Sequence, residues 1–430
     1  MSDKTFIFEG YDYEPLTGEA VFRYSFDGQR RFVESVTFAP ASNYNQAIFD
    51  RVLRLCFFVI GTSYYKCFPT GEAKFIDQQL TPLDVKILNA IYRDGLSQFV
   101  FENGLDPNTL AQFEPDILQI EPLNYNSNGV VIMQSGGKDS LLLAQLVSEL
   151  VIEYSPLFMS QSDHHPETLD SLGAKPLRQI RRAIDANVIR QARHDGGLNG
   201  HVPVTYITMT LALADAVLRG DNTVLSAIGS EGNEPHGYVD EFAVNHQWSK
   251  TWSAEKLLAE YIAGQISPDI HVGSPLRPFS ELRVAELFAE RAWTKYGDRF
   301  SSCNLANYGQ GHDNTTLGWC GSCPKCANSY LLFAPFVEPN ELQRLFADRD
   351  LFSEPRLVQI FKGLLGIDGV MKPFECVGEV DELRQAYAMA ASKFGYKLPF
   401  DVPGSSFDYR ALGERQSWTE QYIPGELIGV

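Results

Sequence analysis

The stretch Val130-Val131-Ile132-Met133-Gln134-Ser135-Gly136-Gly137-Lys138-Asp139-Ser140 decides how this chain of 430 residues is interpreted. A short apolar strand leads into a Gly-Gly loop, and a helix is predicted to follow as far as Leu150. Glycines let the backbone approach an anion, and a helix N-terminus presents amide donors and partial positive charge. Lys138 adds a full charge, and the hydroxyls of Ser135 and Ser140 can donate hydrogen bonds. The stretch therefore predicts a phosphate-binding loop.

The loop is not a Walker A motif, because its glycines lack the four-residue spacer and Lys138 is not followed by Ser or Thr. It resembles the PP-loop of ATP pyrophosphatases, which attack the α-phosphate of ATP and release pyrophosphate. Asp139 cannot favour bare phosphate, so a bridging magnesium ion or a capping role is expected. The alternative is a turn that only connects strand and helix. The predicted ATP-binding residues are Ser135, Gly136, Gly137, Lys138, Asp139 and Ser140.

Outward from the loop, strand and helix patterns alternate. Strands are predicted at 157–159, 187–192 and 223–227, and a long helix at 204–218. This repetition predicts an α/β fold with a mostly parallel, doubly wound sheet and a ligand site at the carboxyl edge of its strands. Antiparallel strands are predicted at 6–8, 21–26 and 31–36, then helices over 46–60 and from Pro82, with Thr81 as N-cap. The predicted units are a β-rich α+β accessory or substrate domain (1–120), a PP-loop ATP-binding domain (121–340) and a helical extension with an irregular tail (341–430).

Four of the seven cysteines lie close together, at Cys303, Cys320, Cys323 and Cys326. In a reducing compartment such clustering points to a metal rather than to disulfides. Four thiolates can hold a tetrahedral zinc ion and leave it no open position, so a structural zinc is predicted. The pattern resembles the zinc-bearing segment of the 7-cyano-7-deazaguanine synthases. Adventitious thiols and an iron–sulfur cluster are the alternatives.

The net charge of -18 argues against a broad nucleic-acid-binding face, so no nucleic-acid partner is expected. The one local basic run contains Arg178, Arg181, Arg182, Arg190 and Arg193. The N-terminus has no signal-peptide pattern, and the most apolar stretch, 52–60, is too short and too charged to span a bilayer. The expected location is the cytoplasm, with no membrane association.

Several longer sequence motifs narrow the choice of protein family. Together with the loop and the cysteines, and in this order, they resemble the UDP-N-acetylmuramoyl-L-alanyl-L-glutamate epimerases (the MurL family) of peptidoglycan synthesis. One departure is Ser135, where the family's loop begins with glycine; serine matches other PP-loop enzymes. These motifs occupy residues 61–66, 200–205, 244–250, 276–282 and 372–378.

The resemblance implies an ATP-dependent isomerase that inverts the terminal L-Glu of UDP-MurNAc-L-Ala-L-Glu to D-Glu and forms AMP and diphosphate. It also implies functional coupling to the ligase that adds L-glutamate to UDP-MurNAc-L-Ala. Adenylylating the carboxylate removes its charge and makes the carbonyl an electron sink. A side chain of ordinary basicity can then take the α-proton, and a proton returns to the other face.

Candidate catalytic groups are His194, His201, His246 and Cys376. His194 is expected at the sheet's binding edge, because it follows the predicted strand 187–192. Structural hydrogen bonding is the alternative for each histidine, and simple burial is the alternative for Cys376. Glu231 is predicted to contact nucleotide or magnesium. The predicted substrate-contacting residues are Arg193, Asn245, Lys250, Arg277 and Glu281.

Other functions share the loop and the cysteines. The chain could be a 7-cyano-7-deazaguanine synthase-like enzyme, another PP-loop ligase or a tRNA-modifying enzyme. A non-enzymatic nucleotide sensor would bind ATP without releasing pyrophosphate. Conversion of the L-Glu dipeptide, with carboxydeazaguanine left untouched, separates the epimerase from these alternatives.

Overall fold

A computed structural model describes residues 4–173, 175–307 and 315–430. The fold is α/β, built around one large, mostly parallel sheet flanked by helices. In the described ranges no helix combines the length and the apolarity needed to cross a bilayer. The strands are β1 (Phe6–Glu14), β2 (Glu19–Phe26), β3 (Arg30–Thr37), β4 (Ala73–Phe75), β5 (Val130–Gln134), β6 (Ser155–Ser160), β7 (Arg178–Ala183), β8 (Thr223–Leu225), β9 (Gly237–Val239), β10 (Phe242–Val244) and β11 (His271–Gly273).

Nine strands form the main sheet in the order β11-β8-β5-β6-β7-β3-β2-β1-β4. The segment from β11 to β7 is parallel, and β3, β2 and β1 continue it in antiparallel fashion. The short β4 pairs parallel to β1 at the far edge. The pairing of β3 with β7 thus joins the N-terminal strands to the parallel part in one sheet. The hairpin β9–β10 stands apart.

Helices cover both faces of this sheet, and β5 shows how the two cores are separated. Side chains alternate along a strand, so Val131 enters one core and Ile132 the other. The α-helices are α1 (Gln46–Ile60), α2 (Thr62–Tyr65), α3 (Pro82–Arg93), α4 (Ser97–Glu102), α5 (Lys138–Glu149), α6 (Ala186–His194), α7 (Val204–Leu218), α8 (Trp252–Tyr261), α9 (Glu281–Arg291), α10 (Trp293–Tyr296), α11 (Asn304–Asn307), α12 (Pro324–Phe333), α13 (Pro339–Arg344), α14 (Val358–Leu364) and α15 (Val380–Phe394).

The strongest local predictions are confirmed. Helices α1 and α7 have the predicted bounds, and the three N-terminal strands are present. Thr81 caps α3, because its side chain accepts a hydrogen bond from the Asp84 amide at 3.1 Å and the Asp84 carboxylate accepts one from the Thr81 amide at 2.8 Å. The division of the chain at residues 120 and 340 stays a prediction.

The predicted strand at 187–192 is wrong. This segment belongs to α6, whose N-terminus is capped by the Asp185 side chain. The strand beside β6 is β7, which is rich in arginine and therefore lacks an apolar pattern. Its charges are neutralised inside the fold: Arg182 pairs with Glu34 at 2.6 Å, and Arg178 pairs with Asp221 at 2.6 Å. Arg178 and Arg182 are thus paired inside the fold, whereas Arg181, Arg190 and Arg193 of the basic run are exposed.

Candidate active site

A cavity of about 580 Å³ opens at the carboxyl ends of β5, β6 and β8. The end of β5, the loop after it and the first turn of α5 form one wall. Residues 226–228, which follow β8, form another, and the start of α7 closes a third side. This is where a parallel sheet is expected to bind its ligand.

The phosphate loop has a conformation that requires glycine. Gly136 has φ +75°, and a Cβ there would overlap the side chain of Leu317. The Ser140 hydroxyl donates to the Gly137 carbonyl at 3.2 Å and accepts from the Ser135 amide at 3.3 Å. The loop is therefore held open at the N-terminus of α5, whose axis points its positive end into the cavity.

A buried cluster of one lysine and three carboxylates lies below the loop. Lys138 Nζ is 2.7 Å from Asp139 and 3.1 Å from Glu281. Burial opposes the charge of Lys138, but Asp139 and Glu281 outweigh burial and raise its pKa. Burial raises the pKa of Glu281 to about 6, against the effect of Lys138. Glu231 is the third carboxylate in this wall.

The cluster has more acceptors than donors. Among the described residues, Oε2 of Glu231 and Oε2 of Glu281 are buried without a hydrogen-bond partner. Unsatisfied buried carboxylate oxygens are costly, and a hard divalent cation prefers oxygen ligands of this kind. Asp139, Glu231 and Glu281 are thus the residues that could hold magnesium.

A thiol and an ammonium group form a second polar feature of the cavity wall. Lys250 and the thiol of Cys376 both line the cavity, and the two groups interact electrostatically. Burial opposes the thiolate, but Lys250 and Lys325 outweigh it and lower the pKa of Cys376. Lys325 was missed by the sequence prediction; its position between Cys323 and Cys326 was the available signal.

Two predicted histidines meet at another part of the wall. The rings of His201 and His246 lie 4.3 Å apart, and His236, not predicted, lies 5.9 Å from His246. Burial, together with neighbouring cations and histidines, lowers the pKa of His201 to about 3, of His236 to about 3 and of His246 to about 4. All three imidazoles are neutral at pH 7.

Four of the predicted catalytic or substrate-contacting residues do not line the cavity. His194 and Arg193 are exposed at the end of α6, so the expected position of His194 at the sheet edge is wrong. Arg277 is 1% exposed and pairs with Glu255 at 2.6 Å, which leaves it no surface for substrate. Asn245 is buried, and its side chain bonds the backbone of Gly232 and Gln247.

The four predicted cysteines converge beside the cavity. Their sulfur atoms all lie within 4.8 Å of one another, with Cys303–Cys323 at 3.6 Å and Cys320–Cys326 at 3.7 Å. Tetrahedral zinc with Zn–S bonds of about 2.3 Å separates its sulfurs by roughly 3.8 Å. Backbone amides of Ala306, Gly321 and Ser322 donate to three of these sulfurs. The cluster could therefore hold a metal ion.

Comparisons with known proteins all point to one protein family. The family model described as the MurL N-terminal domain matches residues 1–274, and the MurL C-terminal domain matches residues 299–397. A UDP-N-acetyl-alpha-D-muramoyl-L-alanyl-L-glutamate epimerase of Salinispora tropica is 33% identical over 91% of this chain and 86% of its own length. Proteins of the same name from Micromonospora sp. and Xanthomonas oryzae pv. oryzae are 32% and 30% identical, over 90% and 91% of this chain and 87% of each relative.

Proposed function

Because this chain belongs to the MurL family of UDP-N-acetyl-alpha-D-muramoyl-L-alanyl-L-glutamate epimerases, we propose that it inverts the terminal L-Glu of UDP-MurNAc-L-Ala-L-Glu to D-Glu at the expense of ATP. The chain is an epimerase, and so an isomerase. One observation carries the ATP-dependent mechanism: a single cavity brings together an anion-binding loop, a lysine–carboxylate cluster and a thiol–ammonium pair.

Activation of the carboxylate explains why an epimerase needs a phosphate loop. Removing the α-proton of a free carboxylate creates a dianion, which a side chain of ordinary basicity cannot do. Attack of the glutamyl carboxylate on the α-phosphorus of ATP forms an acyl-adenylate and releases diphosphate. In the mixed anhydride the acyl group has lost the carboxylate charge, so its α-proton is more acidic, and hydrolysis after inversion releases the product and AMP.

We assign ATP to the loop Ser135–Ser140, in a PP-loop type of fold. The open loop and the N-terminus of α5 support this assignment, and Lys138 supplies the charge nearest to the phosphates. Magnesium would be held by Asp139, Glu231 and Glu281, and the unpartnered oxygens of the two glutamates fit a hard cation. The ion would neutralise charge on the leaving diphosphate.

We propose that the cysteine cluster holds a structural zinc ion. The sulfur spacing and the amide donors fit zinc, and four thiolates leave no position open for substrate. All seven cysteines are free thiols, which fits a reducing compartment. We therefore place the enzyme in the cytoplasm, where the L-glutamate-adding ligase would supply its substrate.

The direct test uses purified protein, ATP, magnesium and the L-Glu muramoyl dipeptide. Chiral analysis of glutamate after acid hydrolysis should find D-Glu, formed together with AMP and diphosphate. The D-Glu dipeptide serves as the reverse substrate, and a reaction without ATP serves as control. Unchanged chirality in the complete mixture would reject the proposed function.

A further inference from the structure

The reaction proposed above needs a base for the α-proton, and the cavity wall offers few. The carboxylates of Asp139 and Glu281 are paired with Lys138. His201 and His246 have low pKa values because they are buried near cations, so their neutral rings are weak bases. With Glu231 assigned to magnesium, the group of the described cavity wall that remains as a base is the thiolate of Cys376.

The segment that carries Cys376 is fixed on both sides. The Gln247 side chain donates to the Val377 carbonyl at 3.1 Å, and the Gly378 amide donates to the Asn328 side chain at 3.0 Å. Asn328 in turn donates to Glu281 at 3.3 Å, in the cluster below the phosphate loop. The thiol is thus tied to the part of the cavity that would bind the nucleotide.

Lys250 is fixed by the same network. Its amide donates to the Gln247 carbonyl at 2.7 Å, and its own carbonyl accepts a hydrogen bond from Arg277 at 2.8 Å. Gln247 therefore joins the turn that carries Lys250 to the segment that carries Cys376. This shared anchor keeps the ammonium group beside the thiol when the cavity is empty.

The charges around the thiol favour its ionised form. Lys250 and Lys325 face Cys376 as cations, and Glu231 and Glu375 oppose them as carboxylates. Glu231 also has a buried, unpartnered oxygen in the same cavity, which indicates that this wall is built to meet a ligand. A thiolate beside an ammonium group is the usual environment of a reactive cysteine.

We infer, on the basis of the proposed function, that Cys376 is the base that takes the α-proton of the activated glutamyl residue and that Lys250 positions and ionises it. The thiolate forms an S–H bond as the C–H bond breaks, and the C–H electron pair moves onto the acyl carbonyl oxygen. Because Gln247 anchors both segments and both side chains line the cavity, Lys250 and the thiol share one side of the α-carbon. Water donates the returned proton to the other face of the α-carbon, and the hydroxide that remains takes the thiol proton, which restores the thiolate and water.

The test separates activation from proton transfer. Cys376→Ala and Cys376→Ser should retain dipeptide-dependent exchange of labelled diphosphate into ATP, which reports adenylylation. Their rates of D-Glu formation and of α-deuterium incorporation in D₂O should fall by about 100-fold or more. Cys67→Ala is the matched control, since Cys67 is buried in the N-terminal core. Inversion by Cys376→Ala within tenfold of the wild-type rate would overturn the inference.

Lys250 is tested through pH. In Lys250→Met, the pH at which iodoacetamide alkylates Cys376 at half its maximal rate should rise, and the pH profile of inversion should move with it. Lys250→Arg should restore both midpoints towards wild type. Unchanged midpoints in Lys250→Met would overturn the role of Lys250.

Failure of the inference can be distinguished from failure of the proposed function. If the wild-type enzyme neither exchanges diphosphate nor forms D-Glu, the proposed function fails. If the wild-type enzyme does both and Cys376 is not protected from alkylation by ATP plus the dipeptide, only the inference fails. The protection measurement uses the wild-type chain, so it holds even where a variant folds poorly.

Discussion

The backbone amide of Ser301 donates a hydrogen bond of 3.1 Å to the carbonyl of Gly136, in the middle of the phosphate loop. Ser301 lies two residues before Cys303, and its hydroxyl accepts from the Cys303 amide at 3.0 Å and donates to the Gly318 carbonyl at 2.7 Å. The segment that enters the cysteine cluster therefore also supports the loop. A metal held by the cysteines would act on ATP binding through this contact, without touching the nucleotide.

Removal of the metal should weaken both folding and ATP binding. We expect about one zinc per chain in the wild-type protein and less in Cys323→Ser, measured by elemental analysis. The variant should unfold at lower temperature, by about 1 °C for each kcal/mol lost in a chain of this length, because thiolate ligation contributes to folding. Its ATP affinity, measured by calorimetry, should also fall. Equal ATP affinity in metal-free protein would contradict the link between Ser301 and Gly136.

The glycine loop can be tested with two matched substitutions. Gly136→Ala places a methyl group against Leu317 at a backbone φ of +75°. The rate of diphosphate exchange should fall by about tenfold or more, because the loop would then misplace the phosphates. Gly104→Ala carries the same kind of left-handed strain at φ +60° but has no neighbour within 4 Å. It should cost about 1–2 kcal/mol of stability and leave exchange unchanged. Equal exchange in the two variants would contradict a specific role for Gly136.

The sequence predicts most of the fold where the signal is local. Periodicity and caps suffice for α1 and α7, and the apolar strand before the glycines suffices for β5. The segment 187–192 could not be placed, because a short mixed pattern fits strand and helix equally well. Strand β7 was hidden by its arginines, whose acidic partners become evident only in the fold; Glu34, the partner of Arg182, lies 148 residues away in the sequence.

The site residues divide in the same way into those that local sequence predicts and those that depend on long-range contacts. The phosphate loop is one contiguous motif, and the cysteines lie close to one another in a second segment. Residue type and spacing therefore identify both motifs. The sequence predicts Arg277 as a substrate contact, because its partner Glu255 becomes evident only in the fold. Gln247 and Asn328 were missed because their contacts with the Cys376 segment are long-range.

Arg277 should act as a structural residue. Arg277→Met leaves Glu255 buried without its cation, which should cost about 3–5 kcal/mol of unfolding free energy. The double variant Arg277→Met with Glu255→Met should lose less than the sum of the two single variants, as measured by urea unfolding. A raised KM for the dipeptide with stability unchanged in Arg277→Met would instead support direct substrate binding.

The buried histidines should make the protein acid-sensitive. Their folded pKa values of about 3 to 4 lie below the unfolded value of 6.5, so the unfolded chain binds more protons between these limits. The stability they contribute is complete above pH 6.5 and is lost as pH falls towards 4. His236→Asn should reduce the slope of unfolding free energy against pH by up to about 1.4 kcal/mol per pH unit. An identical slope in variant and wild type between pH 4 and 6.5 would contradict burial in the neutral form.

Carboxyl activation before proton removal is tested most directly by following the glutamyl α-hydrogen in D₂O by mass spectrometry, with the wild-type protein and the L-Glu muramoyl dipeptide. With ATP and magnesium, deuterium should enter the α-carbon as D-Glu appears and AMP accumulates. Without ATP, the α-hydrogen should stay in place. Deuterium incorporation at the same rate without ATP would show that the proton leaves an unactivated carboxylate, and the role given to the phosphate loop would be wrong.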